Sequence, residues 1–341
     1  MNRFLELSDE DRALAFEQAG NRRGLPTVSI EKDFWVCLML RELFGLPGFA
    51  EHLTFKGGTS LSKAWGLIDR FSEDIDLTIG REALGFDGND APDAARSRKE
   101  RDRRLRNLKI ACGEAVAGRI MPALIERMGE LFRARSPWAI SRDADDPDGQ
   151  TLLFEFPRTR GGAPASYIRP VVKLEFGARS DPWPAAPRTV RSIVSEELPQ
   201  LFDEPVCTVA ALAPERTFWE KAMLLHEETF RPAGRQRRAR MARHYYDLWC
   251  LIENGVAERA REAVGLFEQV AEHRRVYFRQ NWMDYDTLTR RTLRLVPLPE
   301  QQDYWRRDYE AMQREMFAAP APDFATVMDT LTRFQAELNA E

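Results

Sequence analysis

Between Lys56 and Leu77 the chain carries residues of the right types and spacing to hold a phosphorylated ligand and a metal. Lys56-Gly57-Gly58-Thr59-Ser60-Leu61-Ser62-Lys63 is followed, after a short apolar segment, by Phe71-Ser72-Glu73-Asp74-Ile75-Asp76-Leu77. Two adjacent glycines let the backbone bend sharply and approach a bulky anion without a Cβ in the way. The segment from Ser60 to Ile68 has a helical pattern. A helix beginning just after such a turn offers unpaired N–H groups and the positive end of its dipole to an anion. Asp74 and Asp76 alternate with Ile75, Leu77 and Ile79, which on a strand puts both carboxylates on one face. Two such carboxylates repel unless a cation lies between them, and all-oxygen ligation suits Mg²⁺ or Mn²⁺ completed by substrate phosphates. The expectation is a nucleoside triphosphate site, with Gly57, Gly58, Thr59 and Ser60 around the phosphates and Asp74 and Asp76 on the metal. Lys63, one turn into the helix, can reach back toward the turn. A solvated helix lysine is its other reading.

A second feature lies far along the chain. In the helix pattern from Glu215 to Glu228, Lys221 falls within the stripe of Phe218, Leu224 and Leu225, where an ammonium is costly to bury without an anion. Its alternative is a stem lying along apolar surface with the charge in solvent. Asp247, beside Tyr246, Leu248 and Trp249, sits at the edge of an apolar face and by spacing alone is a surface carboxylate near Arg243. The histidines at 52, 226, 244 and 273 form no metal-ligand pair. Arginines concentrate in two runs, Arg96 to Arg106 and Arg231 to Arg243. Such runs are commonly solvated faces or loops, but arginine forks also match a nucleic-acid backbone.

The elements that must position these groups follow from periodicity. His52 to Lys56 alternates as a strand, and Ser8 to Gly20 and Ser29 to Phe44 are amphipathic helices expected to pack on a sheet. Residues 81–104 form a polar loop before a helix from Leu105 to Met128. Strands follow at Trp138 to Ser141, Thr151 to Phe156 and Ile168 to Phe176, and from Pro214 the pattern is helical. At 341 residues and 43% hydrophobic content the chain can bury one large or two ordinary cores. A net charge of −4 excludes bulk electrostatic binding of nucleic acid, so any RNA contact must use local basic patches. Cys37, Cys112, Cys207 and Cys250 are scattered among apolar residues and read as reduced core groups rather than zinc or disulfide ligands. Nothing resembles a signal peptide or membrane span, so a cytoplasmic protein with no membrane partner is expected.

The Gly-Gly-Thr-Ser turn, short helix and Asp-x-Asp strand resemble the core motif of the polymerase-β-like nucleotidyltransferase superfamily. The fuller pattern, with Ile30-Glu-Lys-Asp-Phe-Trp-Val36, Val172-Lys-Leu-Glu-Phe176, Pro214 to His226 and Tyr246-Asp-Leu-Trp249, is similar to the AbiEii/AbiGii toxin family, the toxin halves of abortive-infection toxin–antitoxin systems. That resemblance implies an α/β (α+β) nucleotidyltransferase core with a small mixed sheet over residues 1–210 and a helical C-terminal lobe over 211–341. It implies a third carboxylate from a neighbouring strand. Glu175 is the candidate, sharing a face with Lys173; an ordinary Lys/Glu pair on the wet face is the alternative. It further implies that Lys221 neutralises the triphosphate, that Asp247 partners Lys221 or the nucleotide, and that Mg²⁺ or Mn²⁺ is the cofactor. The substrate would be an NTP such as GTP or CTP, the acceptor an RNA such as a tRNA 3′ end, and the partner an antitoxin acting as a repressor. The contrasting expectation is a catalytically silent NTP-binding or partner-binding module.

Overall fold

Seven strands form one mixed sheet in the computed structural model, which describes residues 1–70, 74–132, 137–159, 170–204, 206–317 and 321–341. They are β1 (Leu53–Lys56), β2 (Ile75–Ile79), β3 (Ala139–Arg142), β4 (Thr151–Glu155), β5 (Val171–Gly177), β6 (Ala185–Arg191) and β7 (Val206–Leu212). Their order is β3-β4-β5-β2-β1-β7-β6. β1 runs antiparallel to β2 and parallel to β7, while β2 runs parallel to β5. The two motif strands are thus central, where Ile75, Leu77 and Ile79 are fully buried. Helix Thr27–Leu43 packs on β5. Its Trp35 meets Phe154 and Phe156, and its Phe34 meets Phe4, Phe16 and Phe202.

The chain divides into two compact units, Met1–Ala64 with Glu73–Ala211, and Trp65–Ser72 with Leu212–Glu341. The expected boundary after residue 210 puts Trp65 and Asp69 in the first unit, but their bonds lie in the second. Trp65 Nε1 donates to the Leu212 carbonyl at 3.1 Å, and the Tyr246 hydroxyl donates to the Asp69 carbonyl at 3.4 Å. The second unit is built on helices Pro214–Thr229, Arg243–Glu253, Val256–Glu262, Leu266–Tyr277, Gln302–Met316 and Phe324–Asn339. Phe218, Trp219, Phe267 and Phe334 pack edge to face in its core.

Several elements differ from the sequence expectation. The helix after β1 is Gly57–Lys63 rather than 60–68, and Gly66, at φ 63°, cannot continue it cheaply. Residues 98–106 of the basic run lie on helix Arg98–Ala115, not in a loop. Ser97 Oγ accepts from Glu100 N at 3.2 Å and Glu100 accepts from Arg96 N at 3.1 Å, a capping arrangement that fixes the helix start within the charged stretch. β6 and β7 are strands that the sequence reading did not assign. β6 carries Pro187 on an exposed sheet edge, where a missing N–H is tolerated. The expected start of the 168–176 strand and Phe71-Ser72-Glu73 lie outside the described residues. All four cysteines are buried and unbridged, and no described helix is long and apolar enough to cross a membrane.

Candidate active site and a buried ion cluster

β1 ends at Lys56 in extended backbone, and Gly57 turns the chain at φ 79° into the helix. No side chain caps that helix start, so the first-turn N–H groups have no intrahelical partner. Gly57 is required twice over. Its backbone is left-handed, and a Cβ there would collide with Asp76 Oδ2. The carboxylate therefore packs directly on the turn that an anion would approach. Thr59 Oγ1 donates to the Asp74 carbonyl at 2.5 Å, tying the helix to the entry of β2 and leaving only the Thr59 backbone for a phosphate. Ser60 is buried, and its hydroxyl has no hydrogen-bond partner among the described residues. Lys63 does not reach the turn. Its ammonium pairs with Asp33 of helix Thr27–Leu43, whose other oxygen accepts from Ile193 N at 2.6 Å. Burial alone would lower the Lys63 pKa, and the Asp33 carboxylate reverses this, leaving it raised.

Asp76 lies in register with Lys56 on one side and Glu175 on the other. Asp74 immediately precedes β2, and Asp74, Asp76 and Glu175 are all half-buried. Glu175 Oε1 takes Lys173 Nζ at 2.9 Å, and the same ammonium lies 3.4 Å from Asp143. Burial lowers the Lys173 pKa, but Glu175, then Asp143 and Asp74, outweigh it and raise it. Among the described residues no group of three or more His, Cys, Asp or Glu stands ready to hold a metal ion. The hard oxygen donors of Asp74 and Asp76 nonetheless suit Mg²⁺ completed by phosphate oxygens.

In the second unit Asp247 is fully buried. Arg70 donates to it from Nε at 2.7 Å and from a terminal nitrogen at 2.9 Å, and Lys221 Nζ donates at 2.8 Å. Lys221 also lies 3.3 Å from His244 Nδ1. Burial would raise the Asp247 pKa, yet Arg70 and then Lys221 hold it far below the carboxylate range. Burial, followed by the charges of Arg70 and Arg243, lowers Lys221 against the pull of Asp247. Burial and the charge on Lys221 likewise keep His244 neutral. The apolar stripe thus buries Lys221 against a carboxylate, and two cations share that one anion.

Residues 38–330 match the family described as nucleotidyl transferase AbiEii toxin, Type IV TA system. The chain belongs to this family. Membership makes it a nucleotidyltransferase toxin with an antitoxin partner and nucleotide substrates. A search of curated proteins gives no match. Among solved structures the chain is similar to MenT4, a nucleotidyltransferase toxin from Mycobacterium tuberculosis H37Rv, at 18% identity and TM-score 0.45 over 98% of this chain and 97% of that one. So distant a likeness carries no argument about the site.

For this AbiEii-family chain sequence alone assigned Arg70 and His244 no site role, and neither Asp143 nor the pairing of Asp33 with Lys63 was expected from it. Arg70 and Asp247 are 177 positions apart, and no local period joins them. Lys173 was legible, since Lys173 and Glu175 alternate on β5.

Proposed function

We propose that this toxin transfers a nucleotide from an NTP to a hydroxyl of an RNA acceptor, a tRNA 3′ end, at the turn between β1 and β2: the acceptor oxygen bonds the α-phosphorus, the α–β phosphoanhydride breaks, and pyrophosphate leaves. The observation that carries this is the packing of Asp76 Oδ2 against Gly57, which brings a metal-type carboxylate and an uncapped Gly-Gly turn to one place. The first-turn N–H groups of Gly57, Gly58, Thr59 and Ser60 and the unpartnered Ser60 hydroxyl would receive phosphate oxygens. Asp74 and Asp76 would hold Mg²⁺ or Mn²⁺, which when bound neutralises triphosphate charge and acidifies the acceptor hydroxyl. Glu175 is the third carboxylate of this reading: it lies beside Asp76, and an arriving cation competes with Lys173 for it. Lys221, the less fully compensated cation of the Asp247 cluster, is assigned to nucleotide phosphate, with Asp247 orienting it. Lys63 is assigned to positioning the motif helix through Asp33.

Incubating the protein with labelled NTPs and total RNA tests this. Wild type should label RNA, most strongly tRNA, in the presence of Mg²⁺. Asp76→Asn should reduce labelling by about three orders of magnitude or more, equivalent to roughly 4 kcal/mol of lost barrier reduction. Full labelling by Asp76→Asn would overturn the assignment.

A further inference from the structure

Two cavities adjoin in the second unit, the first of them reaching His244 beside Lys221. One, of 540 Å³, is lined in part by Arg231, Arg238, Arg243, Arg274, Phe278 and Trp282. The other, of 640 Å³, is lined in part by Arg235, Arg307 and Tyr304. They share Gln236, Arg237 and Ala239, so together they follow the segment between helices Pro214–Thr229 and Arg243–Glu253. That segment is held in place: Asp308 accepts from Arg240 N and Ala242 N, each at 2.7 Å, and Arg240 adopts φ 62°.

The charge around these cavities does not cancel internally. Glu228 is taken by Arg231 and Arg237, Glu227 by Arg274, and Asp303 by Arg306, while Asp308, which also lines the second cavity, accepts from backbone N–H groups and keeps its charge. The guanidinium groups of Arg235, Arg238, Arg243 and Arg307 line the same space with no ion-pair or side-chain hydrogen-bond partner among the described residues. In a chain of net charge −4, this local surplus is a basic patch that can receive an external anion. Aromatic groups accompany it. Arg231 lies over the Trp282 ring at 5.2 Å, Arg274 over Phe278 at 5.5 Å, and Arg237 over Tyr304 at 5.2 Å. Trp282 Nε1 is buried with no acceptor among the described residues, and Tyr304 is 37% exposed.

We propose that this trough binds single-stranded RNA, one nucleotide in each cavity, with arginines on the backbone phosphates and the rings of Trp282, Phe278 and Tyr304 against the bases. Phosphate and aromatic base alternate along a single strand as cation and ring alternate along the trough. A duplex hides its bases and would leave the aromatic groups and the Trp282 donor unused. The inference rests on the proposed RNA acceptor and gives its unpaired end a docking surface.

The test is fluorescence anisotropy of a labelled single-stranded RNA of roughly a dozen nucleotides, without NTP or metal, across a salt series. Combined Arg238→Gln and Arg243→Gln should weaken binding about tenfold and reduce the salt slope by about 1.4, at roughly 0.7 per single-strand phosphate contact. Trp282→Leu should weaken it about fivefold or more with the slope unchanged, and Trp282→Phe should restore most of the loss. Arg101→Gln with Arg103→Gln, on helix Arg98–Ala115, should bind as wild type. Arg238 is exposed, so Arg238→Gln alone carries the test if another variant fails to fold. Wild-type binding by the arginine variants, equal affinity for a blunt duplex, or full competition by inorganic polyphosphate would each overturn the proposal. If wild type labels RNA while the trough variants bind normally, the trough falls and the acceptor stands. If wild type labels no RNA yet the strand binds through these residues, the acceptor falls and the trough stands.

Discussion

Asp76 and Asp247 are the same residue type in opposite circumstances. Asp76 is half-buried, on a sheet face beside Glu175 and an uncapped helix start. Asp247 is fully buried, with Arg70 and Lys221 already on both its oxygens. The first arrangement sets two half-buried carboxylates side by side at a turn that a phosphate can approach. The second uses its carboxylate up to make two buried cations tolerable, and so holds the helices that carry them. Carboxylate identity therefore says little about role, whereas the surrounding charge balance says much.

The strongest way to break that contrast is Asp247→Asn. It leaves the guanidinium of Arg70 and the ammonium of Lys221 buried without a counter-charge, so denaturant unfolding should show a loss of about 3–5 kcal/mol. Asp76→Asn should change stability by less than about 1 kcal/mol, since it relieves repulsion at a half-exposed site. Equal losses in the two variants would erase the distinction.

His226 asks what burial does without compensation. It is fully buried; Nδ1 accepts from Arg294 N at 2.9 Å, so Nε2 carries the proton and faces Thr287 at 3.2 Å. Burial, then the charge of Arg294, lowers its pKa to about 4. Because the unfolded histidine takes up its proton near 6.5, the stability this residue contributes is complete above that pH. It is lost as pH falls toward 4, by up to roughly 3 kcal/mol. Urea midpoints measured over that range should fall more steeply in wild type than in His226→Gln.

Gly57→Ala sharpens the first half of the comparison. A left-handed alanine costs about 1–2 kcal/mol, and its Cβ must displace the Asp76 carboxylate. Thermal melting should show that modest loss while nucleotide transfer falls much further. Equal proportional losses would mean that the turn is merely structural.

The smallest stability effect is expected for Lys221→Met. The two-bond pairing of Asp247 with Arg70 survives it, so the change should stay below about 1 kcal/mol. Calorimetric titration with NTP should nevertheless show weakened binding. Unchanged affinity would confine Lys221 to supporting Asp247.

Local chemistry was the legible part of this molecule. The glycine turn, the Asp-x-Asp alternation and the Lys221 anomaly lie within single elements, where period and residue type suffice. The identity of the anion at Lys221 was not legible from spacing, because it depends on which helix packs opposite. The pairing of Arg70 with Asp247 was not legible because it is made by tertiary structure. The helix start at Ser97 was hidden for another reason: high charge resembles a loop, although Ser97 and Glu100 carry the capping pattern in plain sequence.

The ion pair between Asp33 and Lys63 bears on where the protein can be cut. The family match begins at residue 38, which invites trimming to that point. Such a truncation would discard Asp33 while keeping Lys63, whose side chain is 17% exposed. The helix bearing Gly57 to Ser60 would then end in a stranded ammonium. The smallest working fragment must therefore keep the second turn of helix Thr27–Leu43, which carries Asp33, ahead of the boundary that sequence similarity alone would draw.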